Sequence, residues 1–160
     1  ETVAKGVAMQ VASMNPVAVS AESVPQSVID TELKTATEKT KEELVQKAVD
    51  AALSKAGINP AHVDSEAHIE SNTAKGWITP EQAEQAREII KTVSAEKAAN
   101  LPEQMVANIA KGRLQKFFKE QTLEEQGYQM GDGKTAVKDV IKAADAEAKV
   151  LVFKRLSLAD

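Results

Sequence analysis

Apolar residues recur along most of this chain at spacings of three and four, the period of a helix with one buried face. Residues 2–14, TVAKGVAMQVASM, place Val3, Val7, Val11 and Met14 on one side, and Asn15-Pro16 ends that helix. The next five residues, PVAVS at 16–20, alternate and are rich in β-branched side chains, which predicts a short strand. A second helix follows, with Ser23 as a cap and Pro25 in its first turn. From Val28 to Ala56 it carries a seam of small residues: Ile29, Leu33, Ala36, Thr40, Leu44, Ala48 and Ala51. Such a helix is roughly 45 Å long, more than a compact domain of this size needs.

Gly57 suits the left-handed residue that closes a helix, and Asn59-Pro60 restarts the chain. Residues 59–76 are polar, with room for one short helix. Thr79-Pro80-Glu81-Gln82 is a strong start signal, a capping box with proline at the first helical position. The return helix carries Ala83, Ala86, Ile90, Val93 and Ala98 at heptad-like spacing. Asn100-Leu101-Pro102-Glu103 interrupts it and starts another, striped by Met105, Ile109 and Phe117, with Val106, Leu114 and Phe118 alongside. Residues 124–134 are rich in turn formers, Thr135 begins a last helix, and AKVLVFKRLSL at 148–158 reads as a strand.

This order predicts an α+β fold that is mainly helical. A small mixed helix/strand core is built from 1–27 and 100–160, and residues 28–99 form a long protruding antiparallel helical, coiled-coil hairpin. Composition supports the thin arm. Aromatics are only 3% of 160 residues, and alanine-lined helices can approach closely without them. The net charge of −4 argues against nucleic acid as the main partner. There is no cysteine, so disulfides, thiolate metal sites and thiol nucleophiles are excluded. No apolar run approaches the roughly 20 residues that span a bilayer, so no membrane partner is expected. The chain opens on Glu1 directly into an amphipathic pattern without a signal peptide, as expected of part of a longer, cytoplasmic protein.

No catalytic constellation emerges, and no metal or cofactor is expected. GDGKT at 131–135 fails as a phosphate-binding loop, because that motif needs glycine where Tyr128 stands and a strand directly before it. His62 and His68 lie near Asp64, Glu66 and Glu70; on a helix His62, Glu66 and Glu70 would share a face, but exposed residues at a hairpin tip fit them better than a ligand set. Trp77 or Ile78 is expected to staple that tip. Lys111, Arg113, Lys116 and Lys119 surround Phe117 and Phe118. Adjacent helical residues point about 100° apart, so the two rings make a poor stacking platform for RNA, and one or both are expected to pack in the core.

Three stretches in one order carry a resemblance. MQVASMNP at 9–16 is similar to a pattern M-x-[IV]-A-[AS]-x-x-P, KGRLQKFFKEQTLEEQGYQM at 111–130 to EGRLxKFxxExxLLEQPFV, and GKTAVKDVIK at 133–142 to its continuation SKTVxQLLK before a strand. Together they resemble the C-terminal half of bacterial elongation factor Ts over about 1–40 and 100–158, with 41–99 as an insertion that lengthens the arm. The resemblance implies a guanine nucleotide exchange factor of translation elongation in protein biosynthesis. Such a protein binds elongation factor Tu, GDP-bound or nucleotide-free, and promotes GDP release without covalent chemistry. It implies that this half supplies Tu binding, since the TDFVA-type segment that reaches the nucleotide site is absent. The PFV-type edge maps onto Gly127, Tyr128, Gln129 and Met130, which places Tyr128, Gln129 and Met130 at the partner contact. The competing reading is a generic helical-hairpin interaction module that self-associates through the arm.

Overall fold

The computed structural model describes residues 1–158; residues 159–160, the end of the expected 100–160 segment, lie outside the described residues. The chain is mainly helical: α1 (Thr2–Met14), α2 (Gln26–Lys55), α3 (Glu66–Ala74), α4 (Pro80–Ala99), α5 (Glu103–Gln121) and α6 (Val137–Ala144). It divides into two compact units, one formed by Glu1–Ala36 with Ala110–Asp160 and the other by Thr37–Ile109.

In the second unit the local signals act as read. Gly57, at φ 76°, closes α2, with its N–H on the Ser54 carbonyl and the Ile58 N–H on the Leu53 carbonyl. That pair of bonds is the Schellman arrangement, and it folds Ile58 back onto Leu53 in a shared apolar cluster. The Asn59 side chain accepts from the Ala61 N–H and the Ser65 hydroxyl from the His68 N–H, which starts α3. Thr79 and Gln82 complete the capping box with bonds of 3.0 and 3.1 Å. Ile78, directly before the cap, is buried with Ala83, so the staple is Ile78 and not Trp77, which is 62% exposed.

The cluster of this unit is aliphatic throughout: Val49, Leu53, Ile58, Val63, Ile69, Ile78, Ala83 and Ala86, with Val45, Ile89, Ile90 and Val93 packed against it. The expected face of α2 holds at Ala36 and Thr40, which are buried, and is corrected in the second half of the helix. Leu44 and Ala48 are half-buried and Ala51 is exposed, whereas Val45, Val49 and Leu53 face the cluster. A stripe of Val45, Val49 and Leu53 carries more apolar area than one of Leu44, Ala48 and Ala51, so it is the stripe that turns inward.

The first unit is assembled from distant segments. Val7 and Val11 of α1 meet Leu123, Tyr128, and Val137 and Ile141 of α6, with Val3, Val140, Val150 and Phe153 at the margin. Met14, expected on the same face of α1, is largely exposed. The segment 17–19 runs parallel to 121–124, with Val17 N–H on the Gln121 carbonyl, Leu123 N–H on Ala18 and Glu124 N–H on Val19.

This pairing amounts to one isolated bridge, Ala18 with Thr122, so the strand expected at 16–20 does not extend into a sheet. The strand expected at 148–158 is likewise not formed. A strand needs a neighbour for its N–H and C=O groups, and no described segment pairs with it. Leu151, Val152, Leu156 and Leu158 stand exposed, while Val150 and Phe153 reach the core. Phe117 and Phe118, one or both expected in the core, are each half-buried and lie against one another with centroids 5.9 Å apart.

Candidate partner-binding edge

Residues 126–136 form a closed loop between α5 and α6. Its neck is held by the Tyr128 N–H on the Thr135 carbonyl at 2.8 Å and the Val137 N–H on the Gln126 carbonyl at 2.9 Å. Its far end folds on itself, as the Gly131 and Gly133 N–H groups both donate to the Tyr128 carbonyl at 3.1 Å. The glycine at 127 has a steric cause: a Cβ there would overlap the Gly133 carbonyl oxygen. Gly133 itself takes φ 69°.

The GDGKT segment is the second half of this loop. One Asp132 carboxylate oxygen accepts from the Lys134 and Thr135 N–H groups, and the other from the Thr135 hydroxyl. These backbone bonds hold the Asp132 carboxyl below its ordinary range. Amides that a phosphate loop would offer to a ligand are therefore already satisfied. Thr135, expected to cap α6, is engaged by Asp132, and the N-cap position is Ala136 without a side-chain bond. At the base of the loop Lys138 donates to Glu125 at 2.5 Å, and that carboxylate raises the Lys138 pKa.

The three residues expected at the contact edge diverge. Tyr128 is 9% exposed and points inward, its hydroxyl against Gly6 of α1, where a Cβ would collide with it. Glycine at position 6 leaves the space that the ring fills, and burying the ring removes much apolar area from water. Gln129 and Met130 face outward, and Met130 is 58% exposed. Sequence reasoning missed Gln10, which is 1% exposed. Its Nε2 donates to Gln126 Oε1 at 3.2 Å and to the Gly127 carbonyl at 3.1 Å, and its Oε1 accepts from the Gln129 N–H at 3.0 Å. The signal was present, because Gln10 stands on the stripe Val3, Gly6, Val7, Val11 that buries α1.

Elsewhere most of the residues weighed as a ligand set are engaged by other partners. His62 lies in a short 3₁₀ turn, off the α3 helix that carries Glu66 and Glu70, and its ring tilts against Trp77 at 5.6 Å. His68 pairs with Asp64 through Nδ1. Glu66 is taken by Arg87, which also holds Glu84, and the guanidinium bond keeps the Glu66 carboxyl below its ordinary range. Lys75 sits 5.0 Å over the Trp77 ring. Among the described residues no group of His, Cys, Asp or Glu is arranged to hold a metal ion, and no helix is long and apolar enough to cross a membrane.

What the edge offers is a shaped surface. A sequence profile described as "Elongation factor TS" matches residues 1–59 and 45–160. The chain is 60% identical over 158 residues to "Elongation factor Ts" of Phocaeicola vulgatus and 62% identical over 158 residues to that of Bacteroides fragilis, in both cases across 99% of this chain and 48% of the relative. The protein of the same name from Christiangramia forsetii is 29% identical over 99% of this chain and 37% of the relative. The chain thus spans about half the length of the first two curated relatives. No solved structure matches it.

Proposed function

This chain belongs to the elongation factor Ts family, and from that premise we propose that it supplies Tu binding to a nucleotide exchange factor. The whole protein binds elongation factor Tu·GDP in the cytoplasm and promotes GDP release and replacement by GTP. It performs no covalent chemistry. Exchange of this kind is catalysed by differential affinity: a protein that binds nucleotide-free Tu more tightly than Tu·GDP shifts the population toward release.

The observation that carries the reading is that the family match runs through both units and includes the closed loop with its outward Gln129 and Met130. In this reading Tyr128 supports the edge from beneath, while Gln129 and Met130 touch Tu. The unit of 1–36 and 110–158 is the core subdomain. The apolar 148–158 run, which forms no strand here, would become one in a mixed α+β core on pairing with another segment of a longer protein. Helices α2 and α4 are the two legs of a coiled-coil hairpin.

The test is fluorescence-monitored release of labelled GDP from Tu, alongside direct binding of Tu to this chain. Binding with little acceleration is expected. A chain that leaves Tu unbound at tens of micromolar sinks the proposal. A second reading, self-association through the hairpin, is favoured by one observation: Trp77 stands exposed between His62 and Lys75. Sedimentation of the chain and of Trp77→Ala decides it, and an unchanged monomer mass in both rules it out.

A further inference from the structure

We infer that Gln10 is a positioning residue for the partner-facing loop: its side-chain amide fixes the backbone of 127–129 and so sets where Met130 stands. The inference rests on the proposed role of that loop in binding Tu.

The argument starts from cost. Burying an amide on an otherwise apolar helix face is unfavourable unless its hydrogen-bonding groups are satisfied. Val7 and Val11 beside Gln10 show that an aliphatic residue suits this face. Gln10 is buried all the same, and its bonds converge on one short segment 116 to 119 residues away.

The pattern of those bonds is that of a missing strand. Residues 126 and 128 turn their backbone polar groups toward 135–137, through the Gln126 carbonyl and the Tyr128 N–H. Residues 127 and 129 turn theirs the other way, through the Gly127 carbonyl and the Gln129 N–H. The Gln10 carboxamide donates to the first and accepts from the second, as the peptide group of a neighbouring strand does. The loop's first arm is therefore bonded on both edges, by backbone on one and by side chains on the other: Gln10 bridges the Gly127 carbonyl and the Gln129 N–H, and the Gln129 Nε2 adds a local bond to the Gly127 carbonyl at 2.9 Å.

The direction of the amide is fixed as well. Gln126 Nε2 donates to the Glu120 carbonyl at 2.8 Å, so Gln126 presents its Oε1 to Gln10, and only the NH₂ end of Gln10 can meet it. The next residue after this clamp is Met130, with more than half its surface in solvent. Gln10 has almost no surface to offer a partner, so any effect it has on binding passes through the loop.

The variants are Gln10→Met, which keeps length and loses every bond, and Met130→Ala, alone and combined, with Tu affinity as the readout and far-UV circular dichroism to check folding. Gln10→Met is expected to weaken Tu binding about tenfold, the effect of one or two hydrogen bonds. In the Met130→Ala background its effect is expected to be clearly smaller than in the unaltered chain, because part of it acts through Met130 and the rest through Gln129. Wild-type affinity in Gln10→Met, or losses that simply multiply, overturn the inference. A silent Met130→Ala overturns the loop reading itself, and the inference with it. A further measurement needs no variant: in the unaltered chain the Gln129 amide should exchange with solvent as slowly as the neck amide of Tyr128. Exchange at the rate of an open loop overturns the clamp whether or not Tu binds.

Discussion

The two units build their cores in different ways. The unit of 37–109 uses an aliphatic cluster drawn from residues 45–93, and each turn between its helices is closed by a local device. The unit of 1–36 and 110–158 brings α1 against residues more than a hundred positions later. It buries the chain's only tyrosine and includes two glutamines, Gln10 and Gln126, that are almost wholly buried. An aliphatic cluster is tolerant, since any filling of the right volume serves. A buried amide network admits few arrangements, because each misplaced group is left unsatisfied. The tolerant core therefore belongs to the unit that does not carry the loop proposed to meet Tu, and the exacting one lies beneath that loop.

The sharpest way to break this comparison is to empty each core. Leu53→Ala and Leu123→Ala remove side chains that are 1% and 0% exposed, and each should cost about 2–5 kcal/mol of stability in denaturant unfolding. Only Leu123→Ala should also abolish slow exchange of the Gln129 amide; equal loss at that amide in both variants removes the distinction drawn above.

A smaller effect tests packing against the tyrosine. Gly6→Ala adds a Cβ that meets the Tyr128 hydroxyl, with the ring carbon bearing it at 2.9 Å. Overpacking should outweigh the better helix propensity of alanine and cost about 1–3 kcal/mol. Tyr128→Phe in the same chain should restore part of it in thermal melts. No restoration would mean that the hydroxyl is not the obstacle.

Smaller again is the loss of the capping box. Thr79→Ala should cost about 1 kcal/mol, seen as faster amide exchange in the first turn of α4. Full stability in that variant would show that the Ile78 staple alone holds the turn.

The smallest difference concerns pH. Asp132 and Glu66 are both exposed and both have lowered pKa values, the first through backbone N–H groups, the second through Arg87. A lowered value means that each contributes stability above the ordinary carboxylate range and loses it as pH falls through the depressed one. Both carboxyl carbons should titrate at lower pH than free side chains in NMR spectra. Salt should raise the Glu66 value more than that of Asp132, because a screened ion pair weakens while a turn of backbone bonds does not. Equal sensitivity would refute that division.

Much of the second unit was legible because its signals are local. The glycine after α2, the Asn59-Pro60 restart and the Thr79–Gln82 box each act within a few residues, and the structure uses all three. What failed there was the second half of the α2 face, since a list of residues at helical spacing does not weigh how much area each stripe can bury; Ala36 and Thr40 of the same list are buried. In the first unit the ends of α1 could be read from its stripe and from Asn15-Pro16. The strands at 16–20 and 148–158 could not, because a strand exists only with a partner, and alternation says nothing about whether one is there.

The candidate edge divides the same way. Its place in the chain followed from the resemblance and its turns from Gly127, Gly131 and Gly133. Which of Tyr128, Gln129 and Met130 faces outward did not, because inward or outward is decided by what stands opposite. Local sequence determined the helices, their caps and the loop, all of which depend on neighbours along the chain. Tertiary structure alone put Gly6 opposite Tyr128 and Gln10 opposite Gly127 and Gln129. Contacts across more than a hundred residues are set by three-dimensional packing, and no spacing rule encodes them.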